Sequence, residues 1–272
     1  MTDRALRIWC LVAALLSGPA IAGAQDTEGD APEADFALPV EFDFDFGAAN
    51  GRAVIARLVP LIAAPLGRDW RLESLTLGVV AKAPGGVPGR PGNPNPVAGG
   101  DVFGLGDLTT GLFFVPPPRR AFVWGFGFGV GFPTATDDRL GSGKWSAGPA
   151  FRVAYRRGPW NIGALIVDLG SFAGDRERRD IHQLLVRGLI RRQLGGPWYF
   201  TNSPIITANW KAQSGTRWLI PLGGGIGRRF TIGSRAFALA VHGYAHVVKP
   251  DGAPKSLVRL DAVFPIPIRV LK

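Results

Sequence analysis

Two histidines near the end of the chain have a spacing that could bind a metal ion. His242 and His246 are four residues apart, which is the spacing of zinc ligands on one face of a helix. The residues around them alternate in polarity, however, and this is typical of a strand. On a strand, positions four apart are separated by about 13 Å, far more than shared ligation at about 2.1 Å allows. We therefore expect His242, Tyr244 and His246 to share the polar face of a strand, with no metal and no cofactor bound.

A hydrolytic site would need a nucleophile and a base that lie together. The chain contains no G-x-S-x-G nucleophile motif, and Ser142 stands within the segment GSG, which is typical of a loop. The one candidate base is His182, which comes just after the loop AGDRERRD. Because the sequence shows no matching partner for His182, we predict that the chain has no catalytic residues and is not an enzyme.

A glycine at every second position marks the segment WGFGFGVGF, Trp124 to Phe132. A phosphate-binding loop would need a different glycine spacing and a following helix, whereas Phe132 and Pro133 lead into a loop. The alternation instead predicts a strand with aromatic residues on one face and glycines on the other. We expect Phe126 and Phe128 to face lipid, and the glycine face to leave open space in a lumen.

The start of the chain has the organisation of a cleaved signal peptide. Arg4 and Arg7 precede an apolar run that is followed by the small residues Ala22 to Ala24. We predict a signal peptide over residues 1–24, a flexible acidic leader over 25–35 and one folded domain over 36–272. The single cysteine, Cys10, falls within the predicted signal peptide, so disulfides and thiol chemistry are not expected.

The composition favours a β protein. Its 38 Gly and 23 Pro disfavour helices, and its 17 Phe and 8 Trp favour strands. No apolar run after the signal peptide is long enough for a helical membrane span. The formal net charge of +10 could indicate nucleic-acid binding, but the arginines are scattered and no RNA-binding motif is present. Anionic lipid headgroups or an anion-attracting lumen fit this charge better, and no nucleic-acid partner is expected.

Apolar and polar residues alternate along the whole chain beyond the leader. The segment FALPVEFDFDF, Phe36 to Phe46, places aromatic and aliphatic residues on one face and acidic residues on the other. Further runs of similar length are Arg52 to Ala63, Asp69 to Ala81, Val102 to Val115, Ala121 to Phe132, Lys144 to Arg156, Pro159 to Phe172, Ile181 to Leu194, Pro197 to Trp210, Arg217 to Phe230, Arg235 to Val248 and Ser256 to Ile268. Each run is close to the ~9 to 11 residues of a tilted membrane strand. About twelve such strands predict an all-β, transmembrane, antiparallel up-and-down β-barrel.

The connections between these runs support the barrel. They alternate between tight turns and roomier loops, as expected if short turns face the periplasm and longer loops face outward. The segment PGGVPGRPGNPNP, Pro84 to Pro96, is too rich in Pro and Gly to form a strand. We expect a flexible external loop there; it could fold into the mouth and gate the pore, although an idle loop is the simpler expectation. Tryptophans near the strand ends are expected to form aromatic girdles: Trp70, Trp145, Trp160, Trp198, Trp210 and Trp218.

Strand parity assigns a set of polar side chains to the lumen. The expected lining residues are Glu41, Asp43, Asp45, Arg71, Glu73, Arg152, Arg156, Gln183, Arg187, Arg191, His242, Tyr244, His246, Arg259 and Asp261. Closure of the barrel would bring Arg259 of the last strand to the acids of the first. The arginines at 152, 156, 187 and 191 have fewer evident acidic neighbours. They would form a positive strip that attracts anionic or aromatic-acid solutes, or they would lie near strand ends and contact lipid headgroups.

Several segments resemble a known family. The segments FPTATDDRLGSGKWSAGP (132–149), GPWNIGALIVDLGSFAGD (158–175), PWYFTNSPIITANWKAQSGTRWLIPLGGGIGR (197–228), VVKPDG (247–252) and RLVPLIAAPLGRDWRLESLTL (57–77) are similar to the bacterial proteins called transporters of the meta-pathway of phenol degradation. Some members of that family carry the misleading label neuromedin U. The resemblance implies an outer-membrane barrel and, by its label, passage of hydrophobic or aromatic compounds. It supplies no catalytic residues. Outer-membrane barrels usually end on an aromatic residue, whereas this chain continues past Phe264 to Lys272.

These observations predict a narrow outer-membrane channel for passive passage of small molecules. Its expected partners are outer-membrane lipids, the barrel assembly machinery and a small-molecule solute. Two alternatives remain: a structural or adhesion barrel that transports nothing, and an outer-membrane lipid-modifying enzyme that uses His182.

Overall fold

A computed structural model describes residues 37–233 and 235–265. The predicted signal peptide, the acidic leader and residues 266–272 lie outside the described residues. Fifteen strand segments make up most of the described chain. They are β1 (Ala37–Ala48), β2 (Gly51–Leu58), β3 (Leu61–Leu66), β4 (Trp70–Pro84), β5 (Asp101–Leu105), β6 (Leu108–Val115), β7 (Phe122–Phe132), β8 (Lys144–Arg157), β9 (Trp160–Gly174), β10 (His182–Gly195), β11 (Trp198–Asn202), β12 (Ile205–Asn209), β13 (Trp218–Ile232), β14 (Arg235–Val248) and β15 (Ser256–Pro265).

The strand segments form one closed antiparallel barrel of twelve strands. Three barrel strands consist of two segments each: β2 with β3, β5 with β6, and β11 with β12, since both members of each pair run along the same neighbour. The first and last strands pair from Ala37↔Pro265 to Phe46↔Ser256, and this pairing removes the open edges that a flat sheet would expose. The predicted fold class and the number of strands are therefore confirmed.

Each interruption of a barrel strand coincides with a residue that is unsuited to a ladder. Pro60 separates β2 from β3, and Pro204 separates β11 from β12. Proline has no backbone N–H to donate to the neighbouring strand. Gly106 and Asp107 separate β5 from β6, and the Gly106 N–H donates instead to the carbonyl of Val79 at 2.9 Å. The sequence analysis treated each of these strands as continuous and did not predict the breaks.

The two faces of the barrel wall differ as the alternation predicts. Phe126 is 46% exposed and Phe128 is 44% exposed on the outer face, which confirms that these rings do not lie in a protein core. On β1 the acidic parity is inside, where Glu41 is 2% and Asp43 is 1% exposed. An apolar outside and a polar inside are the reverse of a soluble sheet protein, and they are typical of a barrel that contacts lipid.

The glycine face of β7 does not border open space, and that expectation was wrong. Side chains of neighbouring strands cover it. An added Cβ at Gly125 would meet Val115, one at Gly129 would overlap Val167, and one at Gly131 would overlap Ser146. Val115 and Val167 belong to a buried apolar cluster inside the barrel. The glycines therefore make room for large neighbouring side chains, which fill part of the interior.

The connections at the two ends of the barrel differ in length. Long connections and the turn at residues 49–50 lie at one end, which we call the long-loop end; short turns such as residues 158–159 and 196–197 lie at the other, which we call the short-turn end. The only helical element in the described residues is a single 3₁₀ turn, Ser214–Thr216. Among those residues no helix is long and apolar enough to cross a bilayer.

Candidate functional site in the barrel interior

A network of buried charges, which we call the seam network, holds the first and last strands together. The guanidinium of Arg259 donates to Asp43 through Nε at 2.7 Å and through Nη2 at 3.1 Å, so the expected contact between Arg259 and the acids of β1 is present. Arg57 of β2 forms a second ion pair with Asp43. Arg259 also donates to the carbonyl oxygen of Ser203 at 2.8 Å. Asp45 is buried on the same face. All charges of this network therefore lie inside the wall, where they are shielded from lipid.

Two further ion pairs connect distant parts of the wall. Arg187 on β10 pairs with Glu41 on β1, and these strands are separated by four others in the barrel. Arg152 on β8 pairs with Glu73 on β4, and Arg71 lies 3.4 Å from the same carboxylate. The expectation that the arginines of β8 and β10 have few acidic partners was therefore wrong for Arg152 and Arg187. The acids that reach them come from across the interior, and strand parity alone cannot show this.

Arg156 and Arg191 differ from these arginines. Among the residues that the structure describes, neither has a carboxylate within ion-pair distance. The Arg191 guanidinium lies 4.7 Å from the centre of the Tyr199 ring, which is a cation–π contact. Its Nε is buried and has no hydrogen-bond partner among the described residues. Neither of these two arginines is therefore held in a direct ion pair by a described side chain, although the charge of Asp261 acts on Arg191 from a longer distance.

The histidines of β14 form part of a polar cluster. His242 Nε2 lies 2.8 Å from Asp261 Oδ2, and His242 Nδ1 lies 3.1 Å from the hydroxyl of Tyr244. The Tyr244 hydroxyl accepts the N–H of Ser203 at 2.9 Å. His246 is only partly buried. Among the described residues, no group of three or more His, Cys, Asp or Glu side chains could hold a metal ion. The arrangement therefore links β14 to β15 and to the segment around Ser203.

The connection between β4 and β5, residues 85–100, crosses the opening of the barrel; we call it the crossing loop. Gln183 on β10 accepts the N–H of Gly92 at 2.8 Å and donates to the carbonyl of Arg90 at 3.0 Å. Thr207 on β12 donates to the carbonyl of Gly89 at 3.0 Å. The strands β10 and β12 lie on the opposite side of the barrel from β4. The expectation of an idle external loop was therefore wrong, and the alternative of a loop folded into the mouth is confirmed.

Glycines allow the crossing loop to take this path. Gly86, Gly89 and Gly92 have φ values of +73°, +87° and +76°, which side chains with a Cβ rarely adopt. Val87 and Asn93 of the same loop are each only 2% exposed. A segment that reads as flexible by composition is therefore packed against the wall, because its backbone groups find partners there.

The crossing loop divides the interior into spaces in series. On the long-loop side lies a cavity of about 360 Å³, lined by residues that include Asn209, Lys211 and Arg217. On the short-turn side lies a cavity of about 310 Å³. Between them a space of only about 40 Å³ is lined by the crossing loop and by Asp43 and Arg259. The interior therefore holds little free space at the level of the loop and the seam network.

The rim at the long-loop end carries its own ion pairs. Asp180 lies 3.1 Å from the ammonium of Lys144 and 3.5 Å from that of Lys211. The hydrogen bond from Lys144, together with the charge of Lys211, lowers the pKa of Asp180. The backbone of Asp180 accepts a hydrogen bond from Asn95 of the crossing loop at 3.1 Å. Asp180 therefore connects three separate segments at this end.

His182 lies outside this interior. Its Nε2 is 3.2 Å from Asp168 Oδ2, and Asp168 also accepts the indole N–H of Trp210 at 2.9 Å. The sequence analysis found no partner for His182; Asp168 is that partner, and its distance of 14 residues along the chain concealed it. In the described residues no hydrogen bond joins His182 to a hydroxyl or thiol that could act as a nucleophile.

Sequence reasoning missed several residues of the interior. Arg57 is 5% exposed and pairs with Asp43, but it follows residues that are apolar on both parities. The sequence does not indicate that Tyr199 and Ser203 face the interior, because neither stands in a polar alternation. Arg90 lies within the crossing loop and was assigned to the outside. Of these residues, only Arg57 could have been assigned to the interior by strand parity. It shares the parity of Val59 and Ile55, which are both buried.

The fold and this interior define the class of β-barrels that includes outer-membrane channels. An outer membrane channel from Pseudomonas putida F1 superposes with a TM-score of 0.58 at 14% identity, over 89% of this chain and 99% of that one. The NanC porin superposes with a TM-score of 0.51 at 8% identity, over 85% and 100%. No curated protein sequence matches the chain. The family described as "Putative MetA-pathway of phenol degradation" matches residues 29–167, and the chain belongs to this family.

Proposed function

We propose that the protein is an outer-membrane channel through which small molecules, including aromatic compounds, pass without an energy source. Family membership and the shared channel fold support this proposal. The observation that carries it is the series of cavities of about 360, 40 and 310 Å³ along one barrel interior. A route of this kind admits small solutes and excludes large ones, in keeping with a barrel between filled eight-stranded forms and open porins.

The orientation in the membrane follows from the connections. Short turns of outer-membrane barrels face the periplasm and long loops face outward. The crossing loop would then cover the external mouth, and the cavity of about 310 Å³ would open toward the periplasm. A cleaved signal peptide, delivery by the barrel assembly machinery and contact with outer-membrane lipids belong to the same proposal.

The channel is tested by liposome swelling with the purified full-length protein. We expect sugars, amino acids and aromatic acids of low molecular weight to permeate, with rates that fall steeply with solute size. A variant in which residues 87–96 are replaced by a short Gly-Ser linker should admit larger solutes, because the segment that crosses the mouth is removed. If neither protein admits any solute, the channel proposal fails and a structural barrel is left.

We also propose that the protein is not a lipid-modifying enzyme. The pair of His182 and Asp168 is the one observation that favours such an activity, but a hydrolase or acyltransferase also needs a nucleophile at the histidine. We expect the His182→Ala variant to leave solute permeation and the lipid composition of the producing cells unchanged. A change in lipid acylation that depends on His182 would contradict this.

A further inference from the structure

The cavity at the short-turn end has an ordered arrangement of charge. Four arginines and two carboxylates, Glu41 and Asp261, line it. Arg187 pairs with Glu41, and Asp261 lies 2.8 Å from His242. Glu41 therefore already has an arginine partner, whereas no direct ion pair joins Arg156 or Arg191 to a carboxylate among the described residues; Asp261 acts on Arg191 only through its charge at longer range. The cavity has a local excess of positive charge.

The strand register places the two unpaired arginines around one amide. Arg156 on β8 and Arg191 on β10 both stand opposite Asn161 on β9. Adjacent strands are about 4.8 Å apart, so the two arginine backbones are about 10 Å from each other with Asn161 between them. All three side chains line the cavity. Two guanidinium groups flanking an amide can bind a carboxylate by charge-assisted hydrogen bonds.

The next row of the same three strands has two small residues, Ala154 and Gly163, and both Ala154 and Leu189 stand opposite Gly163. The row after it contains Arg152 and Arg187 on either side of Leu165. Ala154 and Gly163 leave a recess between two rows of arginines, with Leu189 at its side, and only the inner pair of arginines forms ion pairs with carboxylates.

The deeper wall of this recess is apolar. Leu75, Phe113, Leu165 and Leu189 line the cavity on the side away from Arg156, and Phe113 is fully buried. A ligand that places a charged group at Arg156 and Arg191 would therefore bury its remaining part against aliphatic and aromatic carbon. Its apolar body must be compact, because the cavity holds only about 310 Å³.

We propose that this recess is a binding subsite for small organic acids that carry one carboxylate on a compact apolar body. Arg156, Arg191 and Asn161 bind the carboxylate, and Arg191 is held in place by its contact with Tyr199. The apolar body lies over Ala154 and Gly163. The role of the subsite in transport rests on the proposed channel function. The subsite extends that proposal by naming the class of solute that the channel selects.

Equilibrium dialysis of radiolabelled benzoate against the full-length protein in nanodiscs tests the subsite, with empty nanodiscs as background. We expect saturable benzoate binding that the double variant R156Q/R191Q weakens at least tenfold. The matched control is R119Q/R120Q, which removes the same charge from the turn between β6 and β7, outside the cavity. This control should bind benzoate like the unchanged protein, and benzyl alcohol should bind at least tenfold more weakly than benzoate.

A second variant protects the test against loss of folding in the double variant. Ala154→Leu keeps every charge and fills the recess, so it should also abolish benzoate binding. Octanoate serves as a further probe; it should bind more weakly than benzoate, because its long chain exceeds the compact body that the recess accepts, and tighter binding of octanoate would contradict the proposed size limit. The subsite is refuted if benzoate binds no better than benzyl alcohol, or if R156Q/R191Q and Ala154→Leu both bind it normally.

The same preparation separates this inference from the channel proposal. In planar bilayers, benzoate added on the short-turn side should reversibly reduce the ionic current of the unchanged protein and not that of R156Q/R191Q. Benzoate binding without any ionic current would refute the channel and leave the subsite. A current with no benzoate binding would refute the subsite and leave the channel.

Discussion

Individual charged residues have different tasks in this interior, depending on whether they have a partner. Arg259 is 1% exposed and is bound by Asp43 and by the carbonyl of Ser203. A charge at such a depth is tolerated only because its hydrogen bonds replace those it loses to water. Arg156, in contrast, is exposed at the short-turn end, where solvent can satisfy it.

Replacement of Arg259 by methionine should destabilise the barrel strongly. Asp43 would lose two hydrogen bonds while remaining buried, and removal of one partner of a buried ion pair costs about 3–5 kcal/mol. We expect the midpoint of urea unfolding in detergent micelles to fall accordingly. Arg176→Gln, on an exposed loop, removes the same charge and should leave the midpoint unchanged. Equal stability of the Arg259→Met variant and the unchanged protein would show that the seam network does not stabilise the closure.

At the scale of elements, the crossing loop is the segment that fills the opening of the barrel. Gln183 on β10 holds it through a reciprocal pair of hydrogen bonds, and Thr207 and Asn209 on β12 add three more. The free energy needed to open a segment locally depends on the contacts that hold it, so removal of the Gln183 pair lowers the cost of moving this loop.

The Gln183→Ala variant should therefore conduct more than the unchanged protein. Loss of two hydrogen bonds, worth about 0.5–1.5 kcal/mol each, shifts the loop toward positions outside the mouth. Single-channel recordings should show a larger mean conductance and more frequent transitions between levels. Gln193→Ala is a matched control, because Gln193 donates to the carbonyl of Gly196 at 2.8 Å in a short turn. If both variants conduct alike, Gln183 does not hold the loop.

At the scale of the whole molecule, the excess of arginine in the cavity at the short-turn end should give the channel a charge preference. Four arginines against two carboxylates line the cavity of the short-turn end. In a confined space of low dielectric constant such an imbalance raises the local concentration of anions. The reversal potential under a gradient of potassium chloride should show preference for chloride, and the preference should fall in R156Q/R191Q. A preference for potassium would contradict this.

Much of the barrel could be predicted from the sequence, because alternation with period two is the physical requirement of a wall between lipid and water. The runs that begin at Arg52, Asp69 and Lys144 coincide with observed strands to within a few residues. The content of the interior was harder to predict. Contacts such as Arg187 with Glu41 connect residues 146 positions apart, and no local pattern shows which inward side chains meet across a closed barrel.

The crossing loop is a second case in which a local pattern does not determine where a segment lies. Its Pro and Gly content correctly excluded a strand, but composition does not show whether a loop lies in water or on a wall. The side chains that hold it, Gln183 and Thr207, belong to distant strands. The glycine face of β7 was misjudged for a related reason, because the space above a glycine is used by residues of other strands, such as Val115 of β6 and Val167 of β9.

The glycine row of β7 has a consequence for how this gene can change. On one parity of the strand, phenylalanine and valine lie on the outer face of the barrel, so many apolar replacements should be accepted. On the other parity, an added methyl at Gly127 would overlap the carbonyl oxygen of Leu112, and backbone cannot move aside as a side chain can. In a saturation library, substitutions should therefore be tolerated at one position of this strand and rejected at the next. The surviving clones should carry their substitutions mainly at every second residue.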